Sequence, residues 1–307
     1  MRIVAPASPV EEDRLRKGCA ELARLGYVPR WDTSVLAQRG YFAGSADERS
    51  AKLQIALEEK DSTAVVCARG GYGSNYLIER LNLRRLKHPK ILMGYSDITT
   101  LQCLLWRKLR WVTFYGPMAA AGFDAGADAP HGYDLDSLMN SITQTQRSWT
   151  IDLDGEKLFA GMAEGVLLGG CLTLLTSALG TQAEIETRGS ILVLEDRGMK
   201  PWQVDRAIMQ LKLAGKLSDV RGIILGEFPE CDPPAGSASV RDTCRRLLAP
   251  LKICVVWGAR VGHTERPMLT IPLGVRARLS SGGAGRLEIL EVACAAPTLR
   301  LKRGKQS

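Results

Sequence analysis

Over the first 120 residues, short apolar runs alternate with stretches whose apolar positions recur at helical spacing. RIVAPA, YVPRW (27–31), TAVVCA, KILMG and VTFYG have the length and side-chain character of buried strands. EEDRLRKGCAELARLG reads as an amphipathic helix stopping at Gly26, and ADERSAKLQIALEE, NYLIERLN and ITTLQCLLWRKLR continue the alternation. Strands separated by helices predict a parallel sheet covered on both faces, with ligands at the carboxyl ends of its strands.

Between residues 120 and 160 the patterning fades into the Ala-, Gly- and Asp-rich AAAGFDAGADAPHGYDLDSL. From about residue 161 it returns with EGVLLGG, SILVLED, RGIILGEF, ICVVWGA and RLEILEV. We therefore divide the chain into an N-terminal α/β domain (1–120), a crossing (121–160) and a smaller C-terminal α/β domain (161–307).

Composition changes this picture little. The hydrophobic fraction of 45% suits a globular chain, no apolar stretch is long enough to span a membrane, and the N-terminus lacks the apolar core of a signal peptide, so a protein inside the cell is expected. Eight cysteines without any CxxC pair give no zinc or redox motif, and those in TAVVCA and LKICVVW read as reduced, small hydrophobes. The net charge of +8 lies largely in RLNLRRLKHPK, RKLR and the tail LKRGKQS. Without interleaved aromatics or a nucleic-acid motif, these runs read as solvated faces.

Candidate chemistry lies in four segments. Ser96 sits on the turn from KILMG into a helix, where free N–H groups and the helix dipole favour developing negative charge. That is the logic of a nucleophile elbow, although GYSDI is not G-x-S-x-G, and an N-cap serine is the plain alternative. The turn ARGGYGS lets backbone amides approach a ligand but matches no nucleotide-binding motif. Of only three histidines (His88, His131 and His263), His263 follows a β-rich run and is the best-placed general base. Glu195 and Asp196 end a strongly apolar strand, and either could orient an imidazole; spacing does not choose between them.

These segments, with VAPASPV, YFAGSADERSAKLQIAL, YGPM, LLGGCLTLLTSALGT, LEDRGMKPWQVDRAIMQL and GARVGHTERPMLTIPLG, closely resemble the L,D-carboxypeptidase family of serine peptidases, which includes microcin C immunity peptidases. The resemblance runs in order from residue 4 to 274. It implies a Ser96–Glu195–His263 triad, preferring Glu195 to Asp196, and an oxyanion hole from the amides of Asp97 and Gly71. It further implies a flavodoxin-like N-terminal domain, a swivelling C-terminal α/β domain, a homodimer, and no cofactor or metal. Cys171, Met199 and Trp202 depart from the family pattern, none of them at a triad position. The implied reaction removes a terminal D-alanine from cytoplasmic murein tetrapeptides, with Arg69 as a candidate for the substrate carboxylate. Cleavage of peptidyl or aminoacyl nucleotides, and a non-catalytic Rossmann-like ligand-binding protein, are the alternatives.

Overall fold

The computed structural model describes residues 1–143, 148–231, 233, 236 and 238–294. The chain runs β1 (Arg2–Val4), α1 (Glu12–Arg24), α2 (Ala46–Glu58), β2 (Ala64–Cys67), β3 (Ile91–Gly94), α3 (Thr99–Leu109) and β4 (Thr113–Tyr115). It continues α4 (Leu135–Thr143), β5 (Trp149–Asp152), β6 (Glu156–Phe159), β7 (Met162–Cys171), α5 (Leu172–Ser177), β8 (Ser190–Glu195), α6 (Pro201–Leu213) and β9 (Gly222–Gly226). The last elements are α7 (Val240–Leu248), β10 (Cys254–Ala259), β11 (Ile271–Leu273), β12 (Arg276–Ser280) and β13 (Arg286–Ile289).

Two sheets result. The first has the order β1-β2-β3-β4-β11, parallel through β4 and closed by antiparallel β11, which returns from the far end of the chain. Successive residues of β2 serve opposite faces, as the pleat requires. Val65 and Cys67 pack with Leu53, Leu57, Leu101 and Leu104 of α2 and α3, while Val66 packs with Leu15 and Leu22 of α1. The second sheet has the order β5-β13-β12-β7-β8-β9-β10-β6, with a parallel centre of β7 to β10 and antiparallel flanks. Its eight strands outnumber the first sheet's five, so the second sheet is not the smaller. The stretch read as the crossing carries α4, β5 and β6, the last two being strands of the second sheet.

Two predicted elements differ. YVPRW is not a strand: only Arg30 bridges, to Arg2, before Asp32 caps a 3-10 turn (Thr33–Leu36) that takes the chain away from the sheet edge. The segment still lies outside β1, with Ile3 N donating to Arg30 O and Arg30 N to Met1 O. Counted as a second position, it makes the order 2-1-3-4-5 of flavodoxin-like sheets. NYLIERLN forms a 3-10 turn (Ser74–Leu77) rather than a helix, closed by bonds of i→i−3 type from Tyr76 N to Gly73 O and Ile78 N to Asn75 O, and Ser74 N at its start donates to Asp97.

Cys67 and Cys254 are buried, as their apolar runs predict. In the basic runs Arg80 pairs with Asp47, Arg85 with Glu58 and Arg110 with Glu186 at the surface, but Lys90 departs from the expected solvated face: it is buried and donates to Ala56 O and Ser62 Oγ, while LKRGKQS lies outside the described residues. Among the described residues no helix is long and apolar enough to cross a membrane.

Candidate active site

The carboxyl ends of both parallel sheets converge on one cavity of about 400 Å³. Ser96 follows β3, Gly70 and Gly71 follow β2, and His263 follows β10; all four line it. Ser96 adopts φ 62, a left-handed conformation that a serine takes only when its surroundings impose it. A short 3-10 turn (Ser96–Ile98) then leads into α3; Ile98 of the turn and Leu101, Leu104 and Leu105 of α3 are buried and hold the turn on the sheet. A sharp strand-to-helix turn of this kind is the geometry that a nucleophile elbow requires.

Asp97 is fully buried, and its carboxylate accepts the Ser74 N–H at 2.7 Å, which joins the Ser96 turn to the glycine turn. Arg49, also buried, donates to the carbonyls of Gly73 (2.8 Å) and Pro6 beneath that turn. A Cβ at Gly70 would stand 3.0 Å from the Ser96 Cβ and 3.4 Å from the Asp97 nitrogen, so glycine keeps the space before these atoms open. Gly71 has φ +102 and faces Ser8, whose hydroxyl accepts the Tyr72 N–H at 3.1 Å.

Glu195 ends β8 fully buried. Its Oε2 accepts the ring Nδ1–H and the backbone N–H of His263, each at 2.8 Å, which assigns the neutral imidazole its proton at Nδ1. Gly226 and Gly262 make room for this carboxylate, since a Cβ on either would lie within 2.6 Å of Glu195 side-chain carbons. Asp196, the next residue, points the other way: it accepts from Thr173 N at the start of α5 (2.8 Å) and from Arg197 N (2.8 Å). The loop carrying His263 is fastened by Glu227, which accepts from Thr264 Oγ1 at 2.6 Å and from the Arg266 guanidinium.

Burial works against charge on both partners, but the pair outweighs it. Desolvation alone would raise Glu195, yet the charge of His263 and the hydrogen bonds from His263 and Tyr115 hold its carboxyl below the ordinary range. Desolvation alone would lower His263, yet the Glu195 carboxylate holds the imidazole above its ordinary value. Asp196 shifts upward through burial and the neighbouring Glu195 charge.

Three arginines border the cavity. Arg14 is paired with Asp124 at 2.6 Å and Arg197 with Glu230. Arg69 donates to the Pro9 carbonyl at 3.2 Å, and among the described residues it has no carboxylate partner. His131 also reaches the cavity, from the patternless stretch, whereas His88 does not line it. Sequence reasoning missed Arg14, Arg197 and His131. It also left Tyr115 without a role, although a polar-tipped ring at the carboxyl end of a buried parallel strand was a usable signal. Among the described residues no group of three or more His, Cys, Asp or Glu is arranged to hold a metal ion.

Family models for the LD-carboxypeptidase N-terminal domain and C-terminal domain match residues 1–116 and 164–279. A Bacillus subtilis protein named "Probable murein peptide carboxypeptidase" is 36% identical over 283 residues, covering 91% of this chain and 88% of that protein. The crystal structure of muramoyltetrapeptide carboxypeptidase from Oxalobacter formigenes superposes with a TM-score of 0.83 at 28% identity, covering 95% and 99% of the two chains. The structure of MccF in complex with glutamyl sulfamoyl guanosine superposes with a TM-score of 0.86 at 25% identity, covering 94% and 95%.

Proposed function

The chain belongs to the LD-carboxypeptidase family of peptidases, and from that premise we propose that it is a metal-independent serine L,D-carboxypeptidase. In this reading it works in the cytoplasm as a homodimer and removes the terminal D-alanine of murein tetrapeptides during cell-wall recycling. The observation that carries the reading is the placement of Ser96 on a strained strand-to-helix turn in the same cavity as the Glu195-oriented His263.

His263 Nε2 takes the proton of Ser96 Oγ as the oxygen attacks the carbonyl carbon of the penultimate, L-configured residue. The amides of Asp97 and Gly71 hold the oxyanion, kept in mutual register by the Asp97 side chain on the glycine turn. The C–N bond then breaks, His263 gives its proton to the departing amine, and an ester on Ser96 remains. Water, deprotonated by His263, hydrolyses that ester, and the proton returns to Ser96. Glu195 keeps the imidazole oriented and stabilises its cation in both halves.

Because His263 must be neutral to act as a base, activity falls as pH drops through its pKa. That pKa is raised, so the acid limb of kcat/KM is expected above the ordinary histidine value of about 6.5. A pH–rate profile with its acid midpoint below that value would remove His263 from the base role.

Arg69 is the cavity arginine whose charge is uncommitted to a carboxylate among the described residues, so it is assigned the substrate's terminal carboxylate. Arg69→Ala is expected to raise KM about 10- to 100-fold, the worth of a charge-assisted hydrogen bond. The same substitution should leave a C-terminally amidated peptide unaffected. An equal loss on both substrates would sink the assignment.

The likeness to MccF favours a second reading, cleavage of an aminoacyl nucleotide by the same machinery. Release of D-alanine from murein tetrapeptide, measured beside turnover of an aminoacyl sulfamoyl adenosine, separates the two. Turnover of the nucleotide conjugate alone would replace the first reading with the second.

A further inference from the structure

Ser96 and His263 come from different sheets, so their alignment depends on what spans the seam. Tyr115, at the end of β4, spans it: it is fully buried and belongs to the apolar cluster that contains Val193, Ile224 and Ala259 of the second sheet. Its hydroxyl donates to Glu195 Oε1 at 2.5 Å and accepts the Ser96 N–H at 3.3 Å. One phenol oxygen therefore touches the backbone of the nucleophile and the carboxylate that orients the base.

Several features build this bridge. Gly170 has φ +141, and a Cβ there would stand 3.1 Å from the Tyr115 ring and 2.6 Å from Thr99 Oγ1. The Thr99 hydroxyl reaches the same phenol and accepts the Cys171 N–H at 3.1 Å. Burial and the adjacent Glu195 charge push the phenol well above its ordinary pKa, so it stays protonated and available as a donor.

We infer that Tyr115 is a positioning residue, holding the Glu195 carboxylate and the Ser96 turn in one register across the two sheets. Its donated bond satisfies the carboxylate oxygen that His263 does not use, leaving Oε2 to the imidazole, while its accepted bond steadies the left-handed serine. Because it occupies the Ser96 N–H, the oxyanion must rely on the following amide, Asp97. The inference rests on the proposed Ser96–His263 chemistry but has a readout independent of substrate.

Tyr115→Phe removes one oxygen and keeps the ring. It is expected to lower kcat about 10- to 100-fold with KM nearly unchanged, the range for losing a hydrogen bond to a charged group. It should also move the His263 titration, followed by NMR, upward by about half a unit or more, because a carboxylate without the phenol is a stronger base. The other titratable groups facing this pair, Tyr95, Cys171, Asp196, Arg197 and Glu230, are untouched by the change. A purely packing role for Tyr115 would leave that titration where it is. 3-Fluorotyrosine introduced at position 115 supplies the opposite perturbation: a more acidic phenol should move the His263 titration downward.

A His263 titration unchanged in both proteins, or Tyr115→Phe with wild-type kcat, overturns the inference. If the wild-type protein cleaves neither tetrapeptide nor nucleotide conjugate, the substrate reading fails, and the NMR titration still decides on Tyr115.

Discussion

Ser96→Ala is expected to lower kcat/KM for D-alanine release from murein tetrapeptide by about 10⁴- to 10⁶-fold, the usual cost of deleting a serine nucleophile. The loss should fall on kcat, because the cavity walls and Arg69 remain. The variant should fold: alanine keeps the Cβ, so the left-handed turn at φ 62 is no more strained than before. A thermal melt matching wild type would establish that the loss is chemical. Wild-type turnover should persist in EDTA. Retained turnover in Ser96→Ala would remove the serine from the mechanism, and EDTA-sensitive turnover would remove metal independence.

Glu195→Gln is expected to cost about 10³- to 10⁴-fold in kcat, with the Ser96 turn intact. An amide of the same shape can present its NH₂ to Nδ1, which moves the ring proton to Nε2, where the serine proton must be accepted. The charge that holds His263 high also disappears. Burial and the Arg197 charge are then opposed only by the charge of Asp196, and the His263 titration should move down toward or below about 6.5. This is the opposite direction to Tyr115→Phe, so the two variants together separate the charge of Glu195 from its orientation. The pair also bears on stability. The raised His263 stabilises fully below its unfolded pKa and loses that contribution as pH rises through the folded one. The lowered Glu195 stabilises above its unfolded pKa and loses that contribution as pH falls. Their joint contribution is greatest between the two, and Glu195→Gln should lower Tm most in that window. A Glu195→Gln enzyme with wild-type kcat would leave the carboxylate a structural part only.

Arg30, Ser74 and Tyr115 show where local pattern stops being informative. The 27–31 stretch has strand composition, yet at the outer edge of β1 it makes one bridge, because the chain turns away at the 3-10 turn that Asp32 caps. NYLIERL has helical spacing, yet it closes with i→i−3 bonds into a 3-10 turn, whose first N–H meets Asp97, a partner 23 residues away. Tyr115 looks like any apolar-strand aromatic, since nothing near it in the chain reports that its hydroxyl meets a carboxylate 80 residues later.

The alternation of apolar runs and helical spacing was enough to determine the parallel α/β first sheet and the second sheet-bearing unit, because side-chain periodicity is a local consequence of backbone geometry. Chain order and residue type were also enough to single out Ser96 on its strand-to-helix turn and His263 as one of three histidines. Spacing left Glu195 and Asp196 open and the family resemblance preferred Glu195; the tertiary structure shows that Glu195 is the one that meets His263. Adjacent strand residues point to opposite faces, and which face meets His263 depends on how β8 packs, not on its spelling. The same holds for Tyr115 and for the pairing states of Arg14, Arg69 and Arg197: each depends on contacts between strands and loops far apart in sequence, which no local pattern encodes.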